Sequence, residues 1–157
     1  MNFTKAQKHI ATALLSGKKC GRFNVDDNNI LVTPDGFMGY IFPASTIVFD
    51  LEKCKEIPAF PITEIIKDEN ELKLLPDLRL DERNRRTYRR LHGNGKNVFV
   101  NVKFLECWQN PRFFQEAENK HGIIVVAEDR ACIPVGIILP IRSTWDDGTY
   151  YGNEGRM

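Results

Sequence analysis

The chain carries almost no net charge. Its 22 Lys and Arg stand against 21 Asp and Glu, which leaves +1 over 157 residues. So even a balance excludes a protein that coats nucleic acid with its whole surface; any affinity for phosphates must come from a local patch. Long apolar runs are also missing. The longest, Ile133 to Ile141, is broken by Pro134, Gly136 and Pro140, whereas a membrane-spanning helix needs about 20 apolar residues. No membrane association is expected. Lys5, Lys8 and His9 interrupt the stretch that a secretory leader would need. Cysteine is sparse, and Cys20, Cys54, Cys107 and Cys132 form no C-x-x-C pair. Reduced thiols in a cytoplasmic chain are the plain expectation.

Catalytic signatures are lacking as well. There is no G-x-S-x-G elbow. Gly93-Asn94-Gly95-Lys96 lacks the length of a phosphate loop and the Ser or Thr after its Lys, so it reads as a hairpin turn. His9, His92 and His121 are isolated, with no His or Cys pair at ligand spacing. They are expected to be structural, and no metal or other cofactor is expected. Cys107 beside Trp108 reads as core, and Cys132 precedes an apolar strand. The pairs Asp26-Asp27 and Asp146-Asp147 read as solvated turn and tail residues. The expectation is a protein that is not an enzyme.

What is present is an ordinary globular composition: 42% hydrophobic and 27% charged residues exclude a disordered chain. Phe3, Ala6, Ile10, Ala13 and Leu14 recur at three and four residues, the face of an amphipathic helix. Thr4 with Gln7 reads as its capping box, and Gly17 ends it. Arg22 to Asp26 and Asn29 to Thr33 flank an Asp27-Asn28 turn. Phe37 to Pro43 and Thr46 to Phe49 read as further strands. Ile62 to Lys67 reads as a strand, and Glu71 to Leu75 as a strand or short helix. Val98 to Val100 reads as a strand. Asn101 is placed to cap a second helix carrying Phe104, Leu105 and Trp108, stopped by Asn110-Pro111. Arg112 to Glu118, Gly122 to Glu128 and Ile133 to Ile141 complete the strands. Phe113 and Phe114 adjoin on one strand and face opposite sides, so one of them is left for a partner or for the tail to cover.

The two ends of the chain resemble each other. Asn2 and Asn101 each precede an apolar residue and a helical segment. Gly39-Tyr40-Ile41-Phe42-Pro43 is matched by Gly136-Ile137-Ile138-Leu139-Pro140, and Ile30-Leu31-Val32 by Ile124-Val125-Val126. The shared order predicts an α+β domain of two similar β-α-β-β-β halves. Half one is residues 1–50, a basic insert is 51–97, half two is 98–142, and 143–157 form a tail.

Three places in this pattern are similar to a domain of the bacterial DNA sliding clamp. They are Met1-Asn2-Phe3-Thr4 with His9-Ile10, then Val100-Asn101-Val102-Lys103-Phe104-Leu105, and the closing run Gly136 to Arg142. The resemblance implies a clamp-like fold, a role in holding DNA, and a groove for a peptide motif of a replication or repair protein. Leu139, Pro140, Ile141 and Arg142 are the positions it assigns to that groove. The chain departs from the family: it has room for one such domain rather than three, its insert is large, and its tail runs past the closing motif.

The residues themselves point to a basic patch between Arg79 and Lys96. Arg79, Arg83, Arg85, Arg86, Arg89, Arg90 and Lys96 face only Asp81 and Glu82. On a helix, Arg85, Arg86, Arg89 and Arg90 would share one side, where guanidinium groups bind phosphate oxygens bidentately. Tyr88 is placed to stack on a base. The competing expectation is a solvated loop in which Glu82 pairs with Arg86. The functional expectation is a non-enzymatic nucleic-acid-associated protein, with Arg83, Arg85, Arg86, Tyr88, Arg89, Arg90 and Lys96 as the contacting set. A protein-interaction module that self-associates through edge strands into a homo-oligomer, without DNA, is the alternative.

Overall fold

The computed structural model describes residues 1–118, 122–129 and 131–140. The apolar stripe at the start folds as helix α1 (Phe3–Leu15), burying Ala6, Ile10 and Ala13. Its cap is Asn2 rather than Thr4, since the Asn2 side chain accepts from the Lys5 amide at 3.1 Å. Gln7 is thereby freed from a capping box. It donates to the Thr46 carbonyl at 2.7 Å and accepts from the Val48 amide at 3.1 Å, pinning the segment after the third strand. At the other end, Gly17 takes φ +76°, the Gly17 amide donates to the Leu14 carbonyl, and the Lys18 amide to that of Ala13. That is a Schellman motif, which only a residue tolerant of the left-handed region closes cheaply.

The strands form one ten-stranded mixed sheet. They are β1 (Gly21–Asn24), β2 (Asn29–Thr33), β3 (Met38–Pro43), β4 (Lys55–Glu56), β5 (Glu71–Asp81), β6 (Arg86–Gly93), β7 (Lys96–Asn101), β8 (Arg112–Phe114), β9 (Ile124–Glu128) and β10 (Ile133–Ile138). Their order is β4-β1-β2-β3-β10-β9-β8-β5-β6-β7. Among the described residues only the β1–β4 pair is parallel. Helix α2 (Ile62–Ile65) completes an α+β chain. At the centre, β3 meets β10 with Gly39 opposite Ile137 and Tyr40 opposite Gly136. The sheet therefore reads β1-β2-β3 outward on one side of this seam and β10-β9-β8 on the other.

Around the seam both faces of the sheet are buried. On β3, Met38, Tyr40 and Phe42 join α1, Trp108 and Phe113 in one core, while Ile41 joins Leu31, Val125, Ile62 and Ile65 in the other. Side chains alternate along a strand, so neighbours go to opposite cores. Phe113 and Phe114 obey this, but neither is available to a partner: each is 1% exposed, one in each core. Gly136 sits at a register shift in β10. A Cβ there would lie 2.4 Å from Trp108 Cζ2 and 2.5 Å from the Gly39 carbonyl. The indole fills that space and donates to the Val135 carbonyl at 3.2 Å.

Several expectations are corrected. Thr46 to Phe49 is no strand; a 3-10 turn occupies Ala44–Thr46. Ile62 to Lys67 is not a strand but begins with α2, because Ile62 and Ile65, three apart, are buried on one helical face. The helix after Asn101 is a single 3-10 turn, Val102–Leu105. Its Asn101 side chain does cap, accepting from the Lys103 amide at 3.0 Å. Arg112 to Glu118 pairs only over β8. Elements of 51–97 sit at both ends of the sheet, β4 beside β1 and β5 beside β8. Among the described residues no helix is long and apolar enough to cross a membrane.

Candidate nucleic-acid interface

The basic segment is a β-hairpin, not a helix. Tyr88, Arg89, Leu91 and His92 pair on both sides, with Tyr88 opposite Arg79 on β5 and Asn101 on β7. Pairing from two neighbours outweighs the i, i+4 spacing of the arginines, which is a weak local preference. Arg89 and Arg90 therefore point to opposite faces rather than along one stripe. Register shifts between Leu74 and Leu78, next to Pro76, and the bend lets β5 run on as the outer arm of the hairpin. From β6 to β7 the chain turns through Asn94 (φ +53°) and Gly95 (φ +72°), the two-residue turn expected from its sequence.

The tip of the β5–β6 hairpin is shaped by side chains other than its arginines. Asp81, 2% exposed, accepts from the Arg83 amide at 3.0 Å, and its carbonyl accepts from the Arg85 amide at 2.8 Å. Asn84 accepts from the Arg86 amide at 2.9 Å and donates to the Tyr88 hydroxyl at 3.4 Å. Arg85 takes φ +60° at the turn. With the backbone satisfied in this way, the Arg83, Arg85 and Arg86 side chains are exposed. Among the described residues none of the three meets a carboxylate at ion-pair distance, and the Glu82–Arg86 pair does not form.

The other members of the expected set are engaged elsewhere. Tyr88 is 0% exposed and offers no face to a base; its position on the central strand of β5-β6-β7 buries it. Arg90 pairs with Asp77 at 2.8 Å. Both partners are partly solvated, so the bridge contributes about 0–1 kcal/mol. The Arg89 guanidinium donates to the Leu75 carbonyl at 2.8 Å, holding the bend. Lys96 donates to the carbonyls of Glu116 and Ala117 at 3.2 and 3.4 Å, and burial lowers its pKa from the usual lysine value.

Sequence reasoning missed Leu78 and Leu80, 58% and 59% exposed on one face of the arm. The signal was there: Leu-Arg-Leu alternation between Pro76 and Asp81 is a strand pattern with a wet apolar side. In the closing run, the Leu139 amide donates to the Phe37 carbonyl at 2.8 Å, and both side chains are exposed. Pro140 is half-buried. Ile141, Arg142, the tail and His121 lie outside the described residues. No protein-family model matches the chain, and neither a curated protein nor a solved structure matches it.

Proposed function

We propose that the chain is a non-enzymatic nucleic-acid-associated protein of clamp-like fold, gripping DNA with the arm of its β5–β6 hairpin. The observation that carries this reading is the tip, where three exposed arginines, without carboxylate partners among the described residues, project from a turn whose hydrogen bonds come from Asp81 and Asn84. Arg83, Arg85 and Arg86 are its phosphate contacts. Leu78 and Leu80 lie where an apolar wedge against base steps would, as two-stranded ribbons that enter a minor groove use. The duplicated-half reading is supported by the seam. If Gly39 corresponds to Gly136 and Tyr40 to Ile137, each pairs with the counterpart of the other, as strands related by a two-fold axis do. Docking of a replication or repair peptide at Leu139, Pro140, Ile141 and Arg142 belongs to the same proposal.

Fluorescence anisotropy with labelled single- and double-stranded DNA tests it. Three phosphate contacts give a slope of about −2.7 in log K against log salt, or about a 40-fold loss from 50 to 200 mM. The Arg83→Ala, Arg85→Ala, Arg86→Ala variant should lose that slope. Absence of binding by the parent at low salt overturns the reading. Self-association without DNA is the second reading, favoured by β7, which ends the sheet among the described residues. Sedimentation across a concentration series, insensitive to salt, would favour it.

A further inference from the structure

Three residues far apart in sequence form a hydrogen-bonded chain on the opposite flank of the seam. The Tyr40 hydroxyl on β3 is hydrogen-bonded to His9 Nδ1 on α1 at 2.6 Å; with the neutral ring protonated on Nε2, the hydroxyl is the donor. The Cys107 thiol, just past the 3-10 turn, donates to the same Tyr40 oxygen at 3.6 Å. The Asn2 amide donates to the Cys107 carbonyl at 2.7 Å, tying the start of α1 to this segment. Tyr40 and Cys107 are 2% and 5% exposed, and His9 is half-buried. All three line one recess of about 420 Å³, a size that small ligands occupy. Met38, Tyr40 and Phe104 give it an apolar floor.

The charges around the recess differ by element. Lys5 and Lys8 come from α1, Asp35 from the turn before β3, and Lys103 and Glu106 from the 3-10 segment. Lys5 is neutralised by Glu106 at 2.8 Å. Lys8 and Lys103 have no such partner among the described residues and are exposed. The rim thus suits an anionic group held above an apolar floor, with the thiol at the bottom.

We infer that this recess is a covalent modification site, in which Cys107 attacks a compact electrophile bearing a carboxylate or phosphate. Sulfur forms the new bond to the electrophilic carbon, and the leaving group departs with its electron pair. The thiol proton passes to the Tyr40 oxygen while the Tyr40 proton passes to His9 Nδ1, leaving an imidazolium at the half-exposed end. Burial lowers the His9 pKa, with Asp35 opposing and Lys18 adding, so the ring is ready to accept at neutral pH. Burial, and then the Cys107 contact, raise the Tyr40 pKa, so its hydroxyl relays a proton without resting as a phenolate. Cys20 and Cys54 are as deeply buried, but among the described residues neither hydrogen-bonds a His or Tyr side chain, and so they serve as internal controls.

The test is alkylation of the native full chain, located by peptide mass spectrometry. Iodoacetate is the anionic probe and iodoacetamide its neutral counterpart. Cys107 is expected to react faster than Cys20 and Cys54. The ratio of iodoacetate to iodoacetamide rates at Cys107 should exceed the ratio measured in urea. His9→Asn keeps a hydrogen-bonding amide near Nδ1 but removes the base, and is expected to slow Cys107 by about a hundredfold. Tyr40→Phe should do the same. A purely structural chain predicts the opposite, because loosening it exposes the thiol and speeds labelling. Lys8→Gln with Lys103→Gln, both on the surface, should remove only the preference for iodoacetate. Labelling of Cys107 no faster than of Cys20 and Cys54, or faster in the His9 variant, overturns the inference.

Discussion

Strand β9 and the outer end of β5 are of similar length and opposite character. Every residue of β9 up to Ala127 is buried, and the strand has β10 on one side and β8 on the other. The outer end of β5, from Asp77 to Asp81, pairs among the described residues with β6 alone and leaves Leu78 and Leu80 in solvent. Burial of apolar area holds the first in place. Ladder pairing, a bend at Pro76 and the hydrogen bonds of Asp81 and Asn84 hold the second. A sheet can thus carry a segment whose surface is unsuited to a core, provided that its other end is anchored in one. Stability is then concentrated in the seam, and the proposed reading puts the binding chemistry in the arm.

Substitutions of like kind in the two regions should therefore diverge. Phe113→Ala, in the seam-side core, is expected to cost about 3–5 kcal/mol in urea unfolding. Leu78→Ala in the arm should stay within about 0.5 kcal/mol. Equal costs would mean that the arm is packed against something. Gly136→Ala must push a methyl into Trp108 and the Gly39 carbonyl, and should cost about 1–3 kcal/mol. Arg85→Gly sharpens the contrast from the other side. It relieves about 1–2 kcal/mol of left-handed strain against about 1 kcal/mol of added backbone freedom. Stability should hold or rise slightly while DNA affinity falls, a divergence that paired unfolding and anisotropy curves would register.

The smallest expected effect is on pH dependence. His9 binds a proton less readily in the folded chain than in the unfolded one, chiefly through burial. The unfolded state then takes up more protons as pH falls below about 6.5, and stability declines from there. His9→Asn should flatten stability between neutral pH and pH 5 without altering the steeper loss at lower pH. There Glu71 and Glu106 protonate, their carboxyls held low first by hydrogen bonds from Arg112 and Lys5.

Much of the seam was legible in the sequence. The helical stripe of α1, the turn at Asp27-Asn28, and the apolar runs of β2, β3, β9 and β10 are local signals with short connections. The region 51–97 was not, because its outcome is decided by partners distant in sequence. Pro76 reads as a breaker but sits at a register shift, and the arginines read as a helical face until Arg79 and Asn101 flank Tyr88. The second helix failed for a local reason: Asn101 caps it, yet Trp108 turns away to fill the space above Gly136. At the candidate interface, composition pointed to the segment as a whole, but burial divided it into Arg83, Arg85 and Arg86, exposed and unpaired with a carboxylate among the described residues, and the engaged Tyr88, Arg89, Arg90 and Lys96. His9, Tyr40 and Cys107 gave no signal, since each is a lone residue on its own element.

The seam also sets an order of events during synthesis. Strand β3 ends at Pro43, and its central neighbour β10 begins only at Ile133, about ninety residues later. At translation rates of 5–20 residues per second, β3 waits roughly 5–18 s with its inner edge unpaired. Until β10 leaves the ribosome, the nascent chain presents a ready template for any other extended segment, including β3 of the next chain on the same messenger.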